Sequence, residues 1–281
     1  MNPSSVLRRK IVNYFMLILT GLSSLLVLSV LFFLLGYIVF HGFASFSFAF
    51  FTQLPKPVGE TGGGMAHAII GSIKLLAIAS AFGIPLGFIG GLYLSEYGNK
   101  NLIGFTVRYA ADLLNSIPSI VIGIFAYILI VLPMGHFSLL SGGIALGIML
   151  TPIMARNSEE FLRMVPDSIR EAGLALGLPE WKMIVFIVIP TAGRGIITGI
   201  MLGLARISGE TAPLLFTAFG NQYWNRSLME PVASLPVMIY TYAISPYEEW
   251  HQLAWTAGMV LLLLILGIEI ISRLTLQRGF R

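Results

Sequence analysis

Long runs of apolar residues, separated by short polar segments, occupy most of the chain. A helix needs about 20 mostly apolar residues to cross a bilayer. Six segments reach this length: residues 14–40, 75–94, 113–132, 137–155, 183–216 and 253–271. The third and fourth belong to one uncharged run, which a Pro-Met-Gly-His sequence at residues 133–136 divides. The pattern therefore predicts an all-α polytopic membrane protein with six transmembrane helices.

These segments divide the chain into tails, spans and loops. We expect an N-terminal tail at residues 1–13, a first transmembrane helix at 14–40, an external loop at 41–67, a transmembrane domain at 68–275 and a C-terminal tail at 276–281. The domain holds five further helices, a cytoplasmic loop at 156–190 and an external segment at 217–250. The first apolar run is uncharged from residue 11 to residue 40. A cleaved signal peptide has only about 7–15 apolar residues, so this run is predicted to be a retained span.

One uncharged stretch of the external segment, residues 231–247, could form a seventh span. It is short, and Pro231, Pro236 and Pro246 interrupt it. A proline inside a helix removes a hydrogen bond and clashes with the preceding turn. A seventh span would also place the C-terminal arginines outside. We therefore predict a helix that packs at the outer face or partly enters the bilayer there.

Charged residues are sparse, and their placement is asymmetric. They make up 11% of the chain, against about 25% in a soluble domain. Lys56 and Arg226 fall in predicted external loops, and the following basic residues fall on the opposite side: Arg8, Arg9, Lys10, Lys100, Arg108, Arg156, Arg163, Arg170, Lys182, Arg273, Arg278 and Arg281. By the positive-inside rule, both termini and the 156–190 loop are cytoplasmic. The net charge of +4 is thus an orientation signal and does not indicate nucleic-acid binding.

The fifth predicted span carries an unusual stripe. On an ideal helix, Gly195, Gly199, Gly203, Arg206 and Glu210 fall within a sector of about 80°. A charge at the centre of a transmembrane helix costs about 2.5–3.5 kcal/mol on the translocon scale, so the stripe should face protein or water. It is either a glycine packing seam with a structural ion pair, or a path-lining face on which Arg206 meets an anion that Glu210 orients or neutralises.

Several kinds of chemistry lack the residues that they need. The chain has no cysteine, and its four histidines have no ligand-like spacing with carboxylates, so we predict no metal site. An intramembrane protease would need a Ser–His pair, paired aspartates or a metal, but the only aspartates are Asp112 and Asp167, and Asp167 falls in the cytoplasmic loop. The chain also lacks a Gly-Lys dipeptide, and hence a P-loop for ATP. We predict a transport subunit without catalytic residues.

A polar passage at residues 170–190, REAGLALGLPEWKMIVFIVIP, leads into the fifth span. Its residues 171–177 are mostly small and apolar, with charged residues on both sides, a composition suited to a short helix that fits a cleft in another protein. Gly177, followed by Leu178 and Pro179, predicts the end of that helix. A plain helical hairpin between two spans is the alternative.

This passage resembles the EAA loop of ABC-importer permeases. The family pattern is E-A-A, three residues, G, nine residues, I, one residue and L-P, and the chain follows it from Glu171 to Pro190, with Gly173 and Ile189 as departures. The resemblance implies an ABC-importer type I permease (MetI-like) fold, in which the loop is a short cytoplasmic helix that docks into a groove of a separate ATPase. It also implies these coupling residues: Arg170, Glu171, Ala172, Gly173, Gly177, Leu178 and Pro179.

Three further passages, residues 50–64, 114–127 and 205–218, are similar to the phosphate-importing branch of this family. That resemblance implies a complex in the bacterial inner membrane with a PstC-like sister permease, a PstB-like ATPase dimer that binds Mg-ATP and a PstS-like periplasmic phosphate-binding protein. This chain itself would hold no cofactor, and its energy would come from the partner ATPase. The residues expected along the phosphate path are Arg206, Glu210, Gly203 and Gly199.

Two other transporters fit parts of the pattern. A permease for another oxyanion or small solute would use the same machinery, and the specificity of the binding protein would separate it from a phosphate permease. An ion-coupled secondary transporter could use Glu210 as a proton carrier, but the EAA-like loop argues against it. Transport that survives without any ATPase partner would favour that second alternative.

Overall fold

The computed structural model describes residues 3–57, 60, 62–98 and 101–278, and these residues form helices, turns and irregular segments without a β-strand. Two π-helical turns, Tyr127–Val131 and Ile184–Val188, join α5 to α6 and α9 to α10. The helices, named α1 to α13 in chain order, are Pro3–Gly42, Phe48–Thr52, Ala66–Glu96, Leu102–Ser116, Ser119–Ala126, Leu132–Met134, Leu139–Arg163, Asp167–Ala175, Glu180–Met183, Ile189–Ser208, Ala212–Thr217, Leu235–Ala243 and Glu248–Arg278. This confirms the predicted all-α class.

The helices supply five or six membrane crossings. Those long and apolar enough to cross alone are Leu7–Gly42, Ala66–Glu96, Leu139–Arg163, Glu180–Ser208 and Glu248–Ile270. A sixth crossing results if Leu102–Ser116 and Ser119–Met134, which meet at an angle of 104°, are one bent span. The chain is therefore a multi-pass membrane protein, as predicted.

The first helix meets the rest of the protein at its outer end. The most apolar window of Leu7–Gly42 is 0% buried. The Thr256 hydroxyl of α13 donates to the Gly42 carbonyl over 2.8 Å, and the Tyr37 ring lies edge-on to Trp255 with 5.3 Å between ring centroids. The predicted span at residues 14–40 lies inside this helix, which extends further at both ends.

The third predicted span, residues 113–132, has the wrong boundaries. Its first residues belong to α4, which ends at Ser116, and a second helix begins at Ser119. Ile117 between them is extended, with φ −70° and ψ 133°. The residue before a proline avoids the α conformation, and Pro118 follows Ile117. The X-Pro step thus bends the chain where the apolar run alone showed no break.

Each π-helical turn lies just before a proline. Tyr127–Val131 ends two residues before Pro133, and Ile184–Val188 ends two residues before Pro190. Proline lacks the N–H of the helix ladder, and its ring crowds the carbonyl four residues earlier. The wider π turn accommodates that conflict without ending the helix, so Glu180–Ser208 is one continuous span.

The structure also changes the description of the segments around this span. Helix α7 continues to Arg163 and the next long helix begins at Glu180, so helices enter both ends of the loop expected at residues 156–190. The helix of the span predicted at 183–216 ends at Ser208. The polar residues Gly209, Glu210 and Thr211 follow it and mark this end in the sequence.

Helices α3 and α7 form the central contact, and glycines allow their close approach. A Cβ on Gly87 of α3 would collide with the Cβ of Met154 and would lie 2.5 Å from the Thr151 carbonyl oxygen. On α7, a Cβ on Gly142 would lie 2.8 Å from Cδ2 of Leu75. Contacting positions rise together along both helices, so the two run parallel. Small residues of this kind let membrane helices pack through their backbones.

The outer segment is attached to the outer end of α3. The Lys74 ammonium donates to the Asn225 carbonyl over 2.9 Å, and the Leu235 N–H donates to the Ser72 hydroxyl over 2.8 Å. The nine residues of α12 rise only about 13 Å, which is too short to cross a bilayer. Residues 231–247 therefore hold a helix that is too short for a seventh span, as predicted, and its place at the outer face stays a prediction.

We expect Gly87→Ala to destabilise the protein by about 1–3 kcal/mol, because the added methyl overpacks the α3–α7 contact. Gly90→Ala is the matched control, since its Cβ would meet only Ala155 Cβ at 3.7 Å. Thermal unfolding of the purified protein in detergent measures both. Equal midpoints for the two variants would contradict the role given to the glycine contact.

Candidate functional site

The glycines of the predicted stripe pack against α7. A Cβ on Gly195 would lie 2.6 Å from Cγ of Phe161, one on Gly199 3.0 Å from Cβ of Asn157, and one on Gly203 2.9 Å from Cδ1 of Leu150. The Asn157 side-chain amide also donates to the Gly199 carbonyl over 3.3 Å. The packing-seam interpretation therefore describes these glycines, and Gly199 and Gly203 are buried in a helix contact.

Glu210 does not continue the stripe. Helix α10 ends at Ser208, and Glu210 lies in the break before α11, so the prediction that it shares a helical face with Arg206 is wrong. Within the described ranges, no salt bridge joins Arg206 to Glu210, and no hydrogen bond of either side chain is found. The predicted ion pair is thus absent from this part of the chain.

Arg206 is exposed on the flank of α10. Arg206 lies in the last turn of α10, and Gly203, almost one turn earlier, packs on Leu150 near the midpoint of α7. A guanidinium at this depth is costly in lipid. Because nothing in the described part of the chain binds it, its flank requires either water or a second protein.

The loop predicted to be cytoplasmic folds into α8, which runs from Asp167 to Ala175. Glu171 and Ala172 are exposed on it, whereas Gly173 is buried. A Cβ on Gly173 would lie 2.9 Å from Cδ1 of Ile187 and 3.0 Å from Cγ of Met183. A methyl group at this position would require the Ile187 and Met183 side chains to shift, so glycine fits here more easily than alanine.

The helix stop predicted at Gly177 is confirmed. Gly177 has φ +79°, its N–H donates to the Leu174 carbonyl over 2.9 Å, and the Leu178 N–H donates to the Gly173 carbonyl over 3.4 Å. Glycine adopts this left-handed conformation without a steric penalty. Pro179 then caps the start of α9.

The tip of this loop exposes large apolar side chains. Leu176 is 82% exposed, and Leu174 and Trp181 are also exposed. A cluster of exposed apolar residues marks a surface that contacts another protein or a membrane. The tip lies next to α8 and beyond the end of α7, outside the part of the bundle that the long spans form.

Arg170 is directed away from this tip and into the protein. Its guanidinium forms a two-point ion pair with Glu96, at 2.9 Å from Nη2 to Oε1 and 3.3 Å from Nε to Oε2. The two side chains are only 16% and 8% exposed. Among the predicted coupling residues, Arg170 therefore belongs to the interior and not to the exposed surface.

A second ionic cluster surrounds Glu159, which the sequence did not single out. The Glu159 side chain is 3% exposed, and its carboxylate lies 2.7 Å from Nη2 of Arg108, 2.8 Å from Nη1 of Arg156 and 3.2 Å from Nη2 of Arg163. Asp112 in turn lies 2.9 Å from Nε of Arg156. These contacts fix α4 to the inner end of α7. Part of this cluster could have been predicted from the sequence, because Arg156 lies three residues before Glu159 and Arg163 four residues after it, on one face of a helix.

Metal binding has no support in the described ranges, where no group of three or more histidine, aspartate or glutamate side chains could hold a metal ion.

Comparison with known proteins identifies the class of protein to which this chain and its fold belong. Residues 83–278 match the family described as binding-protein-dependent transport system inner membrane component. The fold is similar to that of a chain in the inward facing MetNI methionine ABC transporter, with a TM-score of 0.64, 20% identity, and coverage of 76% of this chain and 97% of that chain. A chain of an amino acid ABC transporter gives a TM-score of 0.58 at 15% identity over 75% of this chain and 92% of that one.

Relatives with higher sequence identity show which family within this class the chain belongs to. The phosphate transport system permease protein PstA of Yersinia pestis is 46% identical over 84% of this chain and 80% of its own length. The PstA protein of Haemophilus influenzae is 41% identical over 96% of this chain and 95% of its own. The chain is an inner-membrane component of a binding-protein-dependent transport system, and it has the predicted fold of ABC-importer permeases (MetI-like). Within that class, it belongs to the PstA family of phosphate transport system permease proteins.

We expect Glu159→Gln to lower the stability of the protein by about 3 kcal/mol, the lower end for a broken buried ion pair, because the arginines around it are partly exposed. Glu160→Gln is the matched control, since the neighbouring Glu160 is exposed. Thermal or denaturant unfolding in detergent measures the difference. A Glu159→Gln protein as stable as the control would show that the cluster does not hold α4 to α7.

Proposed function

We propose that this chain is the permease subunit of an ATP-driven importer and that it forms, with a PstC-like sister permease, the path for inorganic phosphate across the inner membrane. The observation that carries this proposal is the 46% identity to a phosphate transport system permease over 84% of the chain. The MetI-like fold agrees with it at the level of the importer class.

The energy for transport comes from a partner in this proposal. The chain has no Gly-Lys dipeptide and so no P-loop, and a PstB-like ATPase dimer would bind Mg-ATP. The exposed tip of α8 is the surface that suits docking, because its apolar side chains would be buried by a groove of the ATPase. The residues that belong to this surface or shape it are Glu171, Ala172, Gly177, Leu178 and Pro179.

Arg206 is the residue best suited to meet the anion. Arginine binds phosphate through two parallel hydrogen bonds, and the guanidinium of Arg206 has no partner within the described ranges. A sister permease packed against this flank of α10 would remove it from lipid and leave a passage between the two chains. Glu210 lies in the break just beyond α10, where its charge could orient or partly neutralise Arg206 between passages.

The transport cycle that follows is alternating access. A PstS-like periplasmic protein would deliver phosphate to the outer face, and ATP binding would close the ATPase dimer and move α8. The spans would then open outward, phosphate would pass Arg206, and hydrolysis would reset the inward state. Both termini are cytoplasmic in this arrangement, as the basic residues at the inner ends of the spans favour.

Two alternatives make different predictions. A permease for another oxyanion or small solute would need the same ATPase, and Arg206 would suit any oxyanion. An ion-coupled secondary transporter would use Glu210 to carry protons and would need no ATPase. The exposed apolar tip of α8 argues against the second alternative, because such a transporter has no partner to cover it.

Co-purification from membranes tests the proposed function. We expect this chain to bring with it a second permease and an ATPase, and phosphate-loaded binding protein to stimulate ATP hydrolysis by that complex. Sulfate or another oxyanion as the stimulating solute would favour the first alternative. Uptake by this chain in liposomes that contain no ATPase would favour the second.

Arg206→Ala should abolish phosphate uptake. Arg206 is the intramembrane cation that has no partner within the described ranges, and the passage would lose it. The ATPase should still co-purify, since Arg206 is far from α8. Arg194→Ala, on the cytoplasmic part of the same helix, is the control and should retain uptake. Uptake of radiolabelled phosphate by cells that depend on this transporter measures both variants, and normal uptake by Arg206→Ala would exclude the residue from the path.

A further inference from the structure

The buried ion pair between Arg170 and Glu96 joins the docking helix to a membrane span. Nη2 of Arg170 lies 2.9 Å from Oε1 of Glu96, and Nε lies 3.3 Å from Oε2. The Ser95 hydroxyl donates to the same Oε1 over 3.0 Å. A guanidinium that binds both oxygens of a carboxylate fixes orientation as well as distance, so α8 cannot rotate against the end of α3 without breaking this contact.

The same guanidinium also holds the end of α7. Nη2 donates to the Leu162 carbonyl over 2.9 Å, and Nη1 donates to the Val165 carbonyl. Leu162 lies in the last turn of α7, where the carbonyls lack partners inside the helix and where a cation interacts favourably with the helix dipole. One side chain of α8 therefore binds the cytoplasmic ends of two spans.

Helix α3 extends this connection to the outer face. Its 31 residues rise about 46 Å, and glycines of one helix or the other keep it in contact with α7 from Leu75 to Gly91. Nearer its N-terminal end, Ser72 and Lys74 bind the segment that contains α12. One continuous helix thus connects the Glu96 end of α3 to that segment.

We propose that Arg170 is a positioning residue that passes the movement of α8 to α3 through Glu96. The proposal rests on the proposed function of the chain as an importer permease. It separates two tasks within the coupling segment: exposed residues such as Glu171 and Leu176 dock the ATPase, and the buried Arg170 transmits its movement. Loss of the ion pair would then uncouple transport from ATP hydrolysis without loss of docking.

The test uses Arg170→Gln, Glu96→Gln and the double variant in the complete transporter, reconstituted in liposomes with its ATPase and binding protein. We expect each variant to retain the ATPase on purification and to hydrolyse ATP near the rate of the unaltered complex. The phosphate transported per ATP hydrolysed should fall about tenfold, as typical coupling energies allow. Because both substitutions break one contact, the double variant should be no worse than the single ones.

Two further variants sharpen the comparison. Arg9→Gln removes an exposed cytoplasmic arginine and should leave the ratio of phosphate to ATP unchanged. Arg170→Lys keeps the charge but loses the two-point geometry, so its ratio should be intermediate. If Arg170→Gln does not assemble, Glu96→Gln alone decides, since it leaves the bonds from Arg170 to the α7 carbonyls in place.

Two results would overturn the proposal. One is a normal ratio of phosphate to ATP in the assembled Glu96→Gln complex. The other is loss of the ATPase from the purified variants with no change in the ratio of the remaining complex, which would give Arg170 a docking role. Failure of the unaltered complex to take up phosphate with ATP would instead refute the proposed function, and this proposal with it.

Discussion

Close contact between α3 and α7 is the constraint on which the rest of the structure depends. Lipid removes the hydrophobic driving force between membrane helices, so their association rests on van der Waals packing, and glycines on both helices bring the two backbones together. A second glycine contact sets α10 against another face of α7. With α7 held from two sides, α4 takes its position from α7, and α8 and the segment that contains α12 take theirs from the α3–α7 pair.

Some arginines of the chain pair with buried carboxylates, whereas Arg206 does not. At the inner end, Glu159 and Glu96 are buried and are matched by guanidiniums from other turns or helices, which offsets the cost of taking a carboxylate out of water. Arg206 has no such partner within the described ranges. The buried carboxylates are therefore paired within the chain, whereas the Arg206 guanidinium requires water or a second protein.

The sequence predicted what depends on local pattern. Apolar runs predicted the all-α membrane class, Gly177 with Pro179 predicted the helix stop, and three prolines argued against a seventh span. It did not predict the partners of Arg108 and Arg170, because these contacts join residues 51 and 74 positions apart. Glu210 was misplaced for a different reason, since the ideal-helix projection was continued past Ser208, where α10 ends.

The π-helical turn at Ile184–Val188 has a consequence for the direction in which Arg206 points. A π turn accommodates one residue more than regular α-helical winding does, so everything after it is rotated relative to α9 by about 100°. Deletion of one residue there would restore uninterrupted winding and leave the guanidinium near its present azimuth, whereas regular α winding of the full-length segment would turn it to another side of the span. The side of the span that carries charge is thus set about five turns away, near the start of the span.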